Sequence, residues 1–296
     1  MSNGSKSGEI TPRNIIWVED MPPDFSAADA GRLTSSYYTH AIVSFFHLDA
    51  GPTLVYNGPG NDPYQPAYSP WWSYLRGLRE AAMGKTIFLS VGGWNSGTWA
   101  NARGREADGA AQIVNFARAQ GFDGIDFNFE GSYANVNELL AAFGRLVAEV
   151  RKIWNGLLTI TPIYGQVWSQ LLNVQNAAGR PVGGGDVLSW VNVQFYTYQD
   201  GAPQPMPNVP GEFELVLSSN LLPAGMVAAG FPLSETDLPF NQSELQTATA
   251  AVKDIQAAHP DFAGMFVWRF RGAFLGDRTG EPLNWAYHFS QILRNR

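Results

Sequence analysis

Short apolar runs alternate strictly with amphipathic stretches along this chain. The β-rich runs, each bounded by turn residues, are Arg13–Val18, Thr39–His47, Lys85–Val91, Phe122–Glu130, Leu157–Pro162, Trp190–Thr197, Gly225–Gly230 and Gly264–Phe270. Helical patterns lie between and after them, at Ala27–Ser36, Pro70–Met83, Asp108–Gln120, Val136–Trp154, Gln166–Ala178, Glu212–Asn220, Ser243–Ala258 and Glu281–Arg296. Pro70 suits a first helical turn, Gly84 and Gly121 suit left-handed caps, and Asn241 or Ser243 suits an N-cap. Such alternation implies parallel strands joined by right-handed crossovers. Eight units in 296 residues match an α/β fold, a single (β/α)8 TIM barrel. An open doubly wound sheet competes. Against it, no GxGxxG follows the first strand, and Pro22–Pro23 sits where that loop would be. No linker divides the chain. We therefore expect a flexible lead over residues 1–12 and one catalytic barrel over 13–296.

The net charge of −7 comes without a basic cluster, which argues against nucleic acid or an anionic membrane as partner. No apolar run is long enough for a spanning helix. The absence of Cys removes disulfides and thiolate chemistry. His40, His47, His259 and His288 show no ligand spacing, so no metal is expected, and no cofactor either. A monomer is the expectation. The polar start MSNGSKSGEITPR lacks the apolar core of a signal peptide, which reads as cytoplasmic as written, or secreted if another N-terminus preceded it. Aromatics reach 13%, with ten Trp. Either a large barrel core or a stacking cleft for sugars would use them.

In a barrel the site is built where the strands end. Those ends read Glu19–Asp20, His47, Gly92–Gly93–Trp94, Glu130, Tyr164, Tyr196–Tyr198, Gly230–Phe231 and Trp268–Arg271, an acidic and aromatic rim. The fourth strand carries GFDGIDFNFEG, Gly121 to Gly131. A side-chain period of two puts Asp126, Asn128 and Glu130 on one face and Ile125, Phe127 and Phe129 on the other. The apolar row packs outward under the helices. The polar row then points into the barrel and climbs to its mouth, with Glu130 uppermost. Carboxyls held close in a buried site do not ionise together easily, so one is raised, and a raised Glu130 would be a general acid near neutral pH. A buried polar ladder or a metal site remains the alternative on spacing alone.

DGIDFNFE resembles the DGxDxDxE signature of glycoside hydrolase family 18, the chitinases and some endo-β-N-acetylglucosaminidases. FLSVGGW, Phe88 to Trp94, is similar to that family's SxGG strand. VQFYTY, Val193 to Tyr198, resembles the QFYNN-type motif of the class III chitinase branch, and Trp268 in FVWRF matches the Trp ending the last strand. The motifs follow the family's order along the whole barrel. The resemblance implies that Glu130 donates the proton to the glycosidic oxygen. It places Asp126 as the inner acid partnering position 128, and Tyr196 as the hydrogen-bond donor to the substrate's acetamido carbonyl. Gln194 lines the same subsite and Trp268 forms its floor. The nucleophile is the substrate's own acetamido oxygen, so no second carboxylate is needed across the cleft and the anomeric configuration is retained. The implied partner is β-linked N-acetylglucosamine oligo- or polysaccharide.

Asn128 departs from the pattern, which has Asp there. Asn keeps the shape and an acceptor but loses an anion beside a cationic oxazolinium. An Asn–Glu enzyme, as in the resembling family 85 endo-β-N-acetylglucosaminidases, a weak or lectin-like chitin binder, and a substrate-trapping replacement are the three explanations. Thr197 also stands where the branch often has Asn. Wall residues are expected from Trp94, Trp17, Tyr164, Tyr198, Trp99 and Trp168. Tyr64, Tyr68 and Trp71 in the loop Asn57–Trp72 either join them or pack a lid.

Overall fold

The computed structural model describes residues 12–19, 27–57, 60–81, 84–164, 187–199, 202–232, 242–268 and 281–294. In chain order the strands are β1 (Arg13–Glu19), β2 (His40–Leu48), β3 (Leu54–Tyr56), β4 (Thr86–Trp94), β5 (Gly124–Glu130), β6 (Leu157–Ile160), β7 (Trp190–Gln194), β8 (Tyr196–Gln199), β9 (Ala202–Pro205), β10 (Val227–Pro232) and β11 (Gly264–Trp268). Parallel pairing runs β1-β11-β10-β7-β6-β5-β4-β2, and β1 pairs with β2 to close the ring. The fold is thus a closed eight-stranded (β/α)8 barrel. Outside the ring, β3 pairs antiparallel with β2, and β8 and β9 form a separate hairpin.

Most helices fall where the hydrophobic period puts them: Ala27–Ser35, Ser69–Glu80, Glu106–Gln120, Val136–Ile153, Val209–Ser218, Gln242–Ala258 and Glu281–Arg294. Gly121 takes the left-handed cap at φ 77. Gly84 does not serve as one: its helix ends at Glu80, with extended Ala81 as the cap. Among the boundaries that differ from the sequence pattern, two bear on the barrel wall. The run Trp190–Thr197 leaves the barrel at Gln194, and Tyr196 opens the hairpin. The run at Gly225 begins as a 3-10 turn, Ala224–Met226, so its strand starts at Val227. The expected helix Gln166–Ala178, with Trp168, Asp20, Asn241, Arg271 and most of the N-terminal lead, lies outside the described residues.

Two apolar layers hold the barrel. The outer one lies between strands and helices and contains Ile125, Phe127 and Phe129, each essentially inaccessible. Trp99 stacks on Phe129 at 5.3 Å and meets Phe143 edge-on at 5.3 Å. The inner layer fills the lumen with Ile15, Trp17, Ile42, Phe88, Trp190, Tyr196, Ala228, Phe266 and Trp268. At the lower end the Arg13 guanidinium lies 4.0 Å over the Trp190 ring. Burial, then the Arg13 charge, holds the neighbouring His40 down at about 3, so it plugs the barrel as a neutral ring.

The lumen is divided. Above the Arg13–His40 plug, strands β1, β2, β10 and β11 line it mainly with aromatic and aliphatic groups. Strands β4 to β7 line it with Ser90, Asp126, Asn128, Glu130, Thr159, Asn192 and Gln194, all buried. Buried polar groups are costly unless paired, so their bonding decides what this half can do.

Candidate active site

Glu130 ends β5 at the barrel mouth and is 2% exposed. Its Oε2 accepts from Gln194 Nε2 at 2.8 Å. Burial pushes its carboxyl up to about 7, the nearby charges of Glu19 and Asp126 add to this, and the Gln194 bond opposes it. The backbone of Glu130 is pinned as well. Its carbonyl accepts from Asn95 N at 2.9 Å and from the Tyr133 hydroxyl at 3.0 Å.

Asp126 lies four residues below, in the middle of the lumen. Its Oδ1 accepts from Thr159 Oγ1 at 2.6 Å, Thr161 Oγ1 at 2.8 Å and Asn192 Nδ2 at 3.4 Å. Its Oδ2 accepts from Ser90 Oγ at 2.7 Å. Trp190 Nε1 in turn fixes Asn192 by donating to its Oδ1 at 2.8 Å. Burial raises the Asp126 carboxyl, and the four donors counter it. Asn128 sits between the two acids, and its buried Oδ1 has no hydrogen-bond partner. No hydrogen bond joins it to Asp126: the inner acid is held by β4, β6, β7 and Thr161.

The close approach of β4 needs glycine. Gly92 pairs in register with Asn128 at φ 120, and a Cβ there would lie 2.1 Å from the Asn128 carbonyl oxygen. At Gly93, φ 95, a Cβ would meet the Phe45 ring at 3.1 Å. The missing side chain thereby admits Phe45 to the mouth. Phe45, Trp17 and Trp268 form a triangle, with ring separations of 5.3 Å for Trp17–Trp268 and 5.7 Å for the other two pairs. This is the aromatic floor facing the polar wall.

The residues singled out from sequence thus separate into groups. Asp126, Asn128, Glu130 and Gln194 share the polar half, while Trp268 and Tyr196 belong to the lumen cluster. Trp94, the register partner of Glu130, is 50% exposed at the rim. Trp17 is fully buried beneath Phe45 and Trp268, a support of the floor with no open face. Trp99 is also buried, and on the outer side of the wall. Tyr164 turns to the outer layer: its ring lies 5.6 Å from Phe195, and burial and a hydrogen bond with Glu212 push its hydroxyl up to about 12. Tyr198 falls in the hairpin, where its backbone pairs with Pro203. Tyr68 and Trp71 pack on the outer core, and Trp72 Nε1 donates to Pro63 O at 2.9 Å, so the Pro-rich loop folds upon itself. Phe45, Thr159, Thr161 and Asn192 were not anticipated. A signal existed: LTIT and WVNVQ place polar residues at a period of two in buried strands, as on β5.

Fold and mouth together define a class, the (β/α)8 barrels that present acid–base groups at the carboxyl ends of their strands. The chain belongs to the glycosyl hydrolases family 18, whose sequence profile matches residues 18–250. No curated protein sequence matches it. Among solved structures, the fold is similar to a fungal endo-β-N-acetylglucosaminidase of family 18, at 18% identity and TM-score 0.68, covering 96% of this chain and 98% of that one. It is similar also to a family 18 chitinase from Pseudoalteromonas aurantia, at 16% identity and TM-score 0.69, covering 95% and 99%. A third is YKL-39, solved in the presence of chitooligosaccharides, at 12% identity and TM-score 0.66, covering 96% and 100%.

Proposed function

We infer that this chain hydrolyses β-1,4-linked N-acetylglucosamine, chitin or chitooligosaccharides, in the endo mode and with retention at the anomeric carbon. One juxtaposition carries this. Glu130 holds its proton near neutral pH at the mouth. Two residues below, the Asn128 side-chain oxygen is enclosed without a donor. An unpaired buried acceptor costs roughly 1–3 kcal/mol, and the N–H of a substrate acetamido group is the donor that would relieve it. So held, the acetamido carbonyl oxygen attacks the anomeric carbon as Glu130 protonates the departing glycosidic oxygen. The C–O bond breaks, a cyclic oxazolinium forms, and Glu130, now ionised, deprotonates the water that opens it. Tyr196 steadies the acetamido carbonyl, Gln194 keeps the Glu130 carboxyl in its rotamer, and Trp268 with Phe45 carries the apolar sugar face. Asp126 lies below as the inner acid, held by its four donors.

Asn128 favours a second substrate, the chitobiose core of N-glycans, because an amide–acid pair is the arrangement that the family 85 resemblance implies for that cleavage. Incubation with chitotetraose and with a chitobiose-core glycan, read by mass spectrometry, separates the two. Cleavage of neither, with Glu130→Gln indistinguishable from the parent, would leave a sugar-binding barrel in place of an enzyme.

A further inference from the structure

Substrate-assisted hydrolysis leaves one electrostatic need unmet in this chain. Asn128 is neutral where the family pattern places an anion beside the developing positive charge. The aromatic half of the lumen holds a candidate. Strands β1, β2, β10 and β11 contain a single carboxylate among them, Glu19, the last residue of β1. Its direction follows from its strand. Trp17 points into the lumen, against Phe45, Phe266 and Trp268, and a period of two puts Glu19 on the same face, one step nearer the mouth. Its register partner is Ser44, next to Phe45. Along the ring, β2 and β4 separate β1 from β5 on one side, and β11, β10, β7 and β6 on the other. Glu19 and Glu130 therefore end their strands on facing walls. Glu19 is half-buried, whereas Glu130 is enclosed.

We propose that Glu19 is the second anionic group of this site, facing Glu130 across the mouth from the aromatic half and supplying the charge that Asn128 does not carry. It acts through Glu130, as a positioning residue for the proton. Its charge raises the Glu130 carboxyl more than the charge of Asp126 does, burial being the largest cause. Tyr133 also lies beside Glu130, and its hydroxyl already donates to the Glu130 carbonyl. The same carboxylate also favours positive charge on a sugar held between the two walls.

This rests on the function proposed above for the same mouth, so the test has an arm independent of turnover. The Glu130 carboxyl is titrated by carbon-13 NMR in the full chain and in Glu19→Gln, with Glu19→Asp retaining the charge. The expected result is a Glu130 midpoint near 7 in the parent, a lower one in Glu19→Gln, and a return towards the parent in Glu19→Asp. An unchanged midpoint in Glu19→Gln overturns the proposal whether or not the protein cleaves anything. In the kinetic arm, Glu19→Gln lowers kcat on chitotetraose roughly 10- to 100-fold. It moves the alkaline limb to lower pH, and adding Asn128→Asp restores part of the loss. Equal effects of Asn128→Asp in the parent and in Glu19→Gln mean independent sites and contradict it. A parent that cleaves no substrate defeats the proposed function alone.

Discussion

Glu130 is where protonation, stability and the proposed proton transfer meet. Its folded carboxyl titrates at about 7, against 4.5 for the ordinary group. Between those values the folded chain holds a proton that the unfolded chain has lost. The stability linked to that proton is complete below pH 4.5 and is lost as pH rises through 7. For a fully enclosed group this amounts to roughly 3 kcal/mol. Denaturant unfolding should therefore show stability falling from pH 5 to pH 8, and Glu130→Gln should flatten that slope while lowering kcat by roughly 10²–10⁴. The proton donor must be loaded before the bond breaks, so kcat/KM should fall above a limb near pH 7. Replacing Gln194 by Met removes the bond that favours the ionised form, and that limb should then move to higher pH. Asn128→Asp would enclose a further carboxylate with no donor in reach of its buried oxygen. It should destabilise the parent by roughly 1–3 kcal/mol at pH 7, and give no large gain in rate while Glu19 is intact.

The strands transmit these constraints to one another. On β4, Gly92 holds a φ of 120 against the Asn128 carbonyl, where a Cβ has no room. Gly92→Ala should cost about 2 kcal/mol or more and lower kcat as well, since β4 and β5 must part. On β6, Thr159→Val keeps the shape and removes one donor from Asp126. It should cost roughly 1–2 kcal/mol, measured by thermal unfolding. Strand order and helix spacing were legible because each element answers to one period and one pair of boundaries. The polar row on β5 was legible for the same reason. The polar rows on β6 and β7 follow that rule too, yet Thr and Asn inside a strand look like ordinary β-sheet or turn residues until a partner is known. The exit at Gln194, the hairpin after it and the entry of Phe45 depend on contacts between distant segments. The Phe195 amide reaching Gly230 O at 3.2 Å is one such contact, and no local pattern records it.

At the scale of the molecule, the proposed chemistry and a stabilising hydrogen-bond network occupy opposite ends of one barrel. The lower end carries a cavity of about 760 Å³ lined by Thr86, Asp123, Arg151, Leu157, Val187 and Ser189. There the Arg151 guanidinium donates to the carbonyls of Val187, Trp154 and Gly156. Arg151→Met should lose roughly 2–3 kcal/mol of stability and leave KM unchanged, because those bonds hold strand starts and not the mouth. The upper end combines an aromatic floor with a polar wall, an amphipathic lumen suited to a sugar with one apolar face and one rich in hydroxyl and acetamido groups. If the substrate supplies its own nucleophile there, two displacements occur at the same carbon and cancel in configuration. Proton NMR of chitotetraose during the first turnovers, before mutarotation, reads this directly. The β-anomer should appear first, and Glu130→Gln should produce none. An initial α-anomer, formed by direct attack of water, would contradict substrate-assisted hydrolysis at this mouth.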